Sequence, residues 1–103
     1  MDVTKEEEIQ AALQTVQETL DDKVLWAVVA NAGVSSMGYI EWQPMSRVRS
    51  VFDVNTFGAL SVATAFLPLL KKAQGRLVMV TSAFGVYQSS LRFCGVREQS
   101  PVA

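Results

Sequence analysis

The chain has 103 residues, of which 50% are hydrophobic and 18% are charged, a balance that fits one small folded domain rather than a disordered chain. Its formal net charge of −1 gives no positive field to attract phosphate polymers, so we expect no nucleic-acid partner. Cys94 is the only cysteine and histidine is absent. This composition excludes an intrachain disulfide and a Ser-His triad, predicts no metal site, and favours a reducing intracellular compartment.

The first element is predicted to be an amphipathic helix. Thr4 and Glu7 have the spacing of a capping box, in which each side chain satisfies a free amide of the helix start. Apolar residues then recur at helical spacing at Ile9, Ala12, Leu13, Val16 and Leu20.

The next elements predict a parallel sheet. Residues 24–30 form a short apolar run rich in branched side chains, typical of a strand covered on both faces. A long helical region follows over residues 45–73, with a change of direction expected near residues 55–58. Residues 76–80 then form a second apolar strand that ends at Thr81-Ser82. Helical crossovers between strands build parallel pairs, so the fold class is α/β, a partial Rossmann-like doubly wound sheet.

The end of the sequence carries no such pattern. Residues 86–103 show no sustained period of either kind, which predicts an irregular tail after a partial dinucleotide-binding domain over residues 1–85.

One segment could be taken for a membrane span. Residues 54–70 carry no charge, but they include Asn55, Ser61 and Pro68 and are fewer than the usual eighteen or so apolar residues. A helix buried in a larger protein has the same composition. The sequence therefore disfavours membrane contact, and a small membrane-associated protein stays an alternative.

Polar residues stand where the two predicted strands end. In open α/β sheets, ligands bind beyond the carboxyl ends of the strands, which here are Asn31-Ala32-Gly33 and Thr81-Ser82. A plain strand-to-loop turn would use the same residue types. Asn55 lies on the apolar face of the long helix, where an amide is unfavourable unless hydrogen-bonded, either for function or as a satisfied core residue at a kink.

The order of these motifs resembles the short-chain dehydrogenase/reductase family. Asp2-Val3-Thr4, VVANAGV, Asp53-Val54-Asn55 with Gly58, LPLL and GRLVMVTS follow one another as in that family. Leu25-Trp26, Gly38, Glu41-Trp42, VNTFG and LPLLKKAQGR look like its retinol, hydroxysteroid and 3-hydroxybutyrate dehydrogenase branch. The resemblance implies an oxidoreductase that moves hydride between NAD or NADP and a hydroxyl or ketone of a lipophilic substrate.

The resemblance also implies a role for each matching residue. Asp2 and Val3 would contact the adenine end of the cofactor. Asn31, Ala32 and Gly33 would line its adenine-ribose side, with Ala30 in place of the first asparagine of the usual Asn-Asn-Ala-Gly. Asn55 would hold a water of the proton relay, and Ser82 would hydrogen-bond the substrate oxygen. We group Asn55 and Ser82 as catalytic, and the others as cofactor-binding.

Two parts of the family pattern do not occur in this sequence. The family tyrosine lies about thirteen residues after the serine, near Gly95, and its lysine would fall near Gln99. No lysine follows Ser82, and Tyr87 lies too close to Ser82. The first glycine is Gly33, so no glycine-rich phosphate turn precedes it.

These departures predict a fragment of such an oxidoreductase without turnover of its own. The alternatives are a non-catalytic module that forms a homo-oligomer through the long helix, and the small membrane-associated protein.

Overall fold

The computed structural model describes residues 1–83 and the backbone of residues 92–94. Its helices are α1 (Glu6–Leu20), α2 (Met45–Phe52) and α3 (Ala59–Ala73), and its strands are β1 (Ala27–Ala30), β2 (Met37–Tyr39), β3 (Arg76–Met79) and β4 (Arg92–Cys94). A 3-10 turn over Ile40–Trp42 precedes α2, and a π-helical segment over Asp53–Gly58 joins α2 to α3. The predicted order of helix, strand, long helix and strand is confirmed.

The two predicted strands pair in parallel. β1 and β3 are hydrogen-bonded neighbours, with Ala27 opposite Arg76 and Ala30 opposite Met79. The amide of Val80 donates to the carbonyl of Ala30 at 3.1 Å, so the pairing continues just past the carboxyl ends of the strands. Because the connection between the strands contains α2 and α3, the unit is a β-α-β crossover, and the predicted α/β class is confirmed.

The core lies between α1, α3 and the sheet. Val3, Ile9, Val62 and Phe66 form a buried cluster. Partly buried side chains of α1 pack against that cluster at Ala12, Leu13 and Val16, so the apolar stripe predicted for α1 is confirmed. Val28 of β1 packs against the same cluster, which assigns the helices to that face of the sheet.

The start of α1 differs from the prediction. The helix begins at Glu6, and Lys5, at the N-cap position, makes no side-chain cap. The Thr4 hydroxyl instead donates to Asp2 Oδ1 at 2.7 Å, and the Thr4 amide donates to the same oxygen at 2.9 Å. Glu8, rather than Glu7, accepts a backbone hydrogen bond, from the Asp2 amide. The prediction of a capping box is wrong, because the Asp2 carboxylate lies two residues from Thr4 and accepts the hydrogen bond of its hydroxyl in place of a helix cap.

The long helix is continuous over Met45–Ala73 but contains a π-helical segment where a change of direction was expected. Gly58 closes that segment, and a Cβ there would lie 2.5 Å from Val3 Cγ2. Close packing of the chain start on the helix therefore requires glycine at this position. π-Helical segments widen a helix locally and are frequent at functional sites.

The long helix ends at Ala73, where the sequence predicts its end. Gln74 adopts the left-handed conformation, with φ of 50°, and Gly75 donates its amide to the Leu70 carbonyl at 2.8 Å. A Cβ on Gly75 would collide with the Trp26 carbonyl, since the chain turns there directly into β3.

Two short strands were not predicted. β2 pairs with β4 in antiparallel fashion, with Met37 opposite Cys94 and Tyr39 opposite Arg92. Each has three residues, too few for an alternating pattern to be recognised in sequence. Residues 92–94 are the described part of the stretch predicted as an irregular tail. Tyr87 and positions 95 and 99 lie outside the described residues.

The long helix also bears on the membrane alternative. Within the described part of the chain there is one helix, Met45–Ala73, that is both long enough and apolar enough to cross a membrane, judged by length and composition alone. One face of this helix is buried, through Val51, Asn55, Ala59, Val62, Phe66 and Leu70. A core helix of a soluble protein meets the same criterion.

Candidate functional site

An open cleft of about 220 Å³ lies at the carboxyl ends of β1 and β3. We call it the edge cleft. Its lining consists of Asn31, Gly33, Val34, Ser35, Asn55, Val80 and Thr81. The loops that follow two adjacent parallel strands build this cleft, which is the place where open α/β sheets bind ligands.

Asn55 joins the long helix to the loop after β1. Its side chain is 2% exposed. Its Nδ2 donates to the Val34 carbonyl at 2.7 Å, and its Oδ1 accepts from the Val34 amide at 2.8 Å. Both ends of the amide therefore bond to one backbone residue, which accounts for a polar group on an apolar helix face. The π-helical segment presents Asn55 to the cleft, and Asn55 in turn fixes the cleft wall at Val34.

Some of the predicted site residues line the edge cleft, and others lie beside it in the sequence. Asn31, Gly33 and Asn55 line the edge cleft together. Ala32 lies between two of these lining residues and is exposed. Ser82 is half-buried and directly follows the lining residue Thr81, but it is not part of the lining itself.

Asp2 and Val3 lie at the start of the chain rather than in the cleft. Val3 is buried and packs against Gly58, three residues along the helix from Asn55. Asp2 is exposed, and the hydrogen bond from the Thr4 hydroxyl lowers the pKa of its carboxyl, with a further contribution from the Thr4 amide. The turn thus holds Asp2 ionised.

Three lining residues were not predicted, namely Val34, Ser35 and Val80, whereas Thr81 belongs to the strand end Thr81-Ser82 at which a ligand was expected. Val34 and Ser35 follow the Asn31-Ala32-Gly33 turn, and Val80 precedes Thr81, so proximity in sequence was the available signal. Bidentate pairing with Asn55 could not be read from the sequence, because it joins residues 21 positions apart.

The chemistry of the edge cleft is that of a neutral binding surface. Its polar side chains are two amides and two hydroxyls, and no lining side chain carries a charge. Amides, hydroxyls and backbone groups suit the ribose hydroxyls and ring nitrogens of a nucleoside. Among the described residues, no group of three or more His, Cys, Asp and Glu side chains could hold a metal ion.

Comparison with known proteins identifies relatives of this fold. Residues 1–93 match the family model described as short chain dehydrogenase. The chain is 45% identical over 86 residues to 17-beta-hydroxysteroid dehydrogenase type 6 of Bos taurus, which covers 82% of the chain and 27% of that protein. It is 44% identical over 96 residues to retinol dehydrogenase 16 of Rattus norvegicus, covering 92% of the chain and 29% of that protein. The chain thus spans between a quarter and a third of these relatives.

A solved structure shares the arrangement as well. An alcohol dehydrogenase from the archaeon Thermococcus sibiricus, complexed with 5-hydroxy-NADP, superposes with a TM-score of 0.79 at 26% identity. The match covers 88% of this chain and 38% of that one. With the family model matching most of its length, the chain belongs to the short chain dehydrogenase family, whose members are NAD(P)-dependent oxidoreductases with a Rossmann fold.

Proposed function

We propose that this chain supplies one cofactor wall and part of the substrate side of an NAD(P)-dependent oxidoreductase. The enzyme would act on a hydroxyl or ketone of a lipophilic substrate, a retinol, a steroid or a hydroxy acid, in a reducing intracellular compartment. The observation that carries the proposal is the edge cleft, where Asn55 pins Val34 beside Asn31 and Gly33 at the carboxyl edge of a parallel sheet.

The cofactor side rests on the exposed turn. Asn31, Ala32 and Gly33 would lie along the adenine-ribose part of NAD(P), because small side chains and backbone let a flat ligand approach closely. Asp2 and Val3 would meet its adenine end, and the packing of Val3 on Gly58 ties that end to the long helix. Bound NAD(P) would supply or accept the hydride.

The substrate side rests on Ser82 and Asn55. Ser82 would hydrogen-bond the substrate oxygen, and Asn55 would hold a water of the proton relay. No lining residue of the edge cleft titrates near neutral pH, so the cleft can bind and orient but cannot take up a proton. We therefore expect no turnover by the 103-residue chain alone.

A binding and turnover experiment on the purified chain tests the proposal. NAD and NADP are each added with retinol, a hydroxysteroid or 3-hydroxybutyrate, and reduced nicotinamide is followed by absorbance. We expect no hydride transfer. Saturation-transfer NMR should nevertheless show contact with the adenosine protons of the cofactor. Turnover would contradict the expected inactivity, and absence of any adenosine contact would contradict the cofactor wall.

A graft tests the substrate side in a working enzyme. Residues 1–82 replace the matching segment of the 17-beta-hydroxysteroid dehydrogenase type 6 relative, and steroid oxidation is measured. We expect activity to persist in the graft and to fall at least about a hundredfold with Ser82→Ala, the range lost with one hydrogen-bond donor to a reacting oxygen. Ser50→Ala is the matched control, since Ser50 is exposed and bonds only the Ser46 carbonyl of its own helix. Equal activity of Ser82→Ala and Ser50→Ala would refute the role of Ser82.

A second candidate function is a non-catalytic assembly module. A surface groove of about 300 Å³ runs between α1 and α3, lined by Glu6, Gln10, Leu60, Ser61, Thr64 and Ala65. Leu60 is exposed, and the small side chains around it would let another helix approach closely. This groove favours pairing with a second chain that presents a helix.

A co-purification experiment distinguishes the assembly module from the oxidoreductase fragment. A full-length relative is expressed with this chain, and the complex is isolated through a tag on the chain. If the assembly function holds, capture of the relative should be lost with Leu60→Lys and kept with Leu67→Lys, an exposed α3 residue outside the groove. Equal capture by both variants would exclude the groove as the contact.

A further inference from the structure

A second pocket lies at the end of the sheet opposite to the edge cleft. Its volume is about 320 Å³, against about 220 Å³ for the edge cleft. Gln17 and residues 20–25 line it from the end of α1 onward, together with Leu69 and Lys72 near the end of α3. Both segments lead into the amino ends of strands, the first into β1 and the second into β3. We call it the basal pocket, and among the described residues none lines both this pocket and the edge cleft.

The floor of the basal pocket is apolar. Leu20 at the end of α1, Leu25 before β1 and Leu69 of α3 line it, and all three are half-buried. Leu25 also packs against the buried core cluster, which anchors the floor to the interior of the domain. A branched aliphatic group placed on these leucines would remove apolar surface from water on both sides of the contact.

Charged side chains of both signs line the same pocket. Asp21, Asp22, Lys23 and Lys72 are all exposed. Within the part of the chain that the structure describes, none of these four side chains forms a salt bridge or a hydrogen bond. The carboxylates can therefore accept from the ammonium group of a ligand, and the lysines can donate to its carboxylate.

The turn that carries the two carboxylates is held in a strained conformation. Asp21 has φ of 51° and ψ of −110°, outside the left-handed helical region that aspartate tolerates. The Lys23 amide donates to the Leu20 carbonyl at 2.7 Å, which closes the turn. Residues held in such conformations cluster at ligand clamps, where strain fixes the position of a binding group. The negative end of the α1 dipole lies at the same turn and adds to the attraction for a cation.

We propose that the basal pocket binds a small zwitterion with a branched aliphatic body, the chemistry of a free aliphatic amino acid. The aliphatic group lies on the three leucines. The ammonium group meets Asp21 and Asp22, and the carboxylate meets Lys23 and Lys72. A ligand with one charge leaves half of the charged side chains unmatched, and small-molecule sites begin at about 300 Å³, which suits a ligand of this size. The site is separate from the edge cleft and does not depend on NAD(P) binding there.

A ligand series removes one feature of the zwitterion at a time. L-leucine is added to the isotope-labelled chain, and amide shifts are followed by NMR. We expect the amides of Asp22 and Lys23 to shift and saturate with a Kd on the order of 1 mM, while the Gly33 amide in the edge cleft does not respond. Isocaproate lacks the ammonium group, isopentylamine lacks the carboxylate, and glycine lacks the aliphatic body. Each should bind at least about tenfold more weakly than L-leucine.

Two outcomes of the series overturn the proposal. One is binding of isocaproate, isopentylamine or glycine as tight as that of L-leucine, because the feature that it lacks then contributes nothing. The other is the absence of a saturating shift at Asp22 and Lys23 with L-leucine.

Neighbouring residues of α3 provide matched controls. Lys71 and Lys72 are both exposed, but only Lys72 lines the basal pocket, and Leu69 lines it whereas Leu67 does not. Lys72→Gln and Leu69→Ala should each weaken L-leucine binding at least about threefold, and Lys71→Gln and Leu67→Ala should leave it unchanged. Lys72→Gln should not weaken binding of isopentylamine, which has no carboxylate to lose. Equal losses in Lys71→Gln and Lys72→Gln would reduce the effect to general surface charge and overturn the proposal.

The acidic side of the pocket is tested in the same way. Asp22→Asn should weaken binding of L-leucine and of isopentylamine, and it should leave binding of isocaproate unchanged. Asp53→Asn is the control, since Asp53 is exposed and lies outside the basal pocket. If Asp22→Asn weakens isocaproate as much as L-leucine, the carboxylate does not recognise an ammonium group. If the Asp22 amide shifts with protein concentration before ligand is added, a second copy of the chain occupies the pocket, and the proposal is overturned.

Discussion

Asn55 is the residue on which the candidate site depends most. Asn55→Ala removes both hydrogen bonds to Val34 and leaves its amide and carbonyl unpaired at the cleft wall. We expect a loss of about 1–3 kcal/mol in the free energy of unfolding, the usual penalty for polar groups left without partners. Urea denaturation measures this change, and amide exchange of Val34 should accelerate at the same time.

Asn31→Ala is the matched control for this prediction. Asn31 lines the same cleft but is exposed, so its replacement should change the free energy of unfolding by less than about 0.5 kcal/mol. If Asn55→Ala and Asn31→Ala change the free energy of unfolding by the same amount, Asn55 does not hold the loop after β1. Sequence reasoning could name Asn55 as a residue in need of hydrogen bonds, but only the fold reveals Val34 as its partner.

At the scale of elements, the turn before α1 predicts a pH dependence. The Asp2 amide donates to Glu8 and the Thr4 hydroxyl to Asp2, and these bonds lower the pKa of both carboxyls. A carboxyl with a lowered pKa in the folded state contributes stability above its unfolded pKa and loses it as pH falls through the folded value. We expect the Thr4 amide to lose exchange protection only below the ordinary carboxyl range.

Variants of the same turn check the assignment. Asp2→Asn combined with Glu8→Gln should abolish the acid-dependent loss of protection at Thr4, because neither side chain then titrates. Asp22→Asn, beyond the end of α1, should leave it unchanged. A parent-like acid profile in the double variant would show that other groups control the turn.

Elements whose apolar residues repeat over several turns could be predicted from the sequence. Features that depend on competition between hydrogen-bond partners, or on pairing with a distant segment, could not. The stripe from Ile9 to Val16 repeats often enough to identify α1 and its buried face. The start of α1 was misplaced because Asp2 competes with the helix for Thr4. β2 and β4 could not be predicted, because each is only three residues long and its pairing partner lies more than fifty positions away in the sequence. No local sequence pattern indicates such a pairing. In the same way, the sequence predicted a ligand site at the strand ends, but only the folded structure shows that Val34 and Ser35 form its wall.

The molecule as a whole exposes one face of its sheet. Val28 packs toward the helices, so Val29 and its register partner Val78 lie on the opposite face, where they are 58% and 45% exposed. Among the described residues, β1 and β3 form a two-stranded sheet. An exposed apolar sheet face favours contact with a second copy, so we expect the purified chain to self-associate through the sheet.

The substitution Val29→Lys tests this expectation against association through the long helix. Val29→Lys should lower the light scattering of the chain at rising concentration, because a buried charge opposes stacking of the sheet face. Leu60→Lys places the same charge on the exposed side of α3, in the groove of the assembly candidate, and should leave scattering unchanged. If Leu60→Lys instead suppresses scattering and Val29→Lys does not, the helix groove is the contact, and the assembly function gains support over sheet-mediated aggregation.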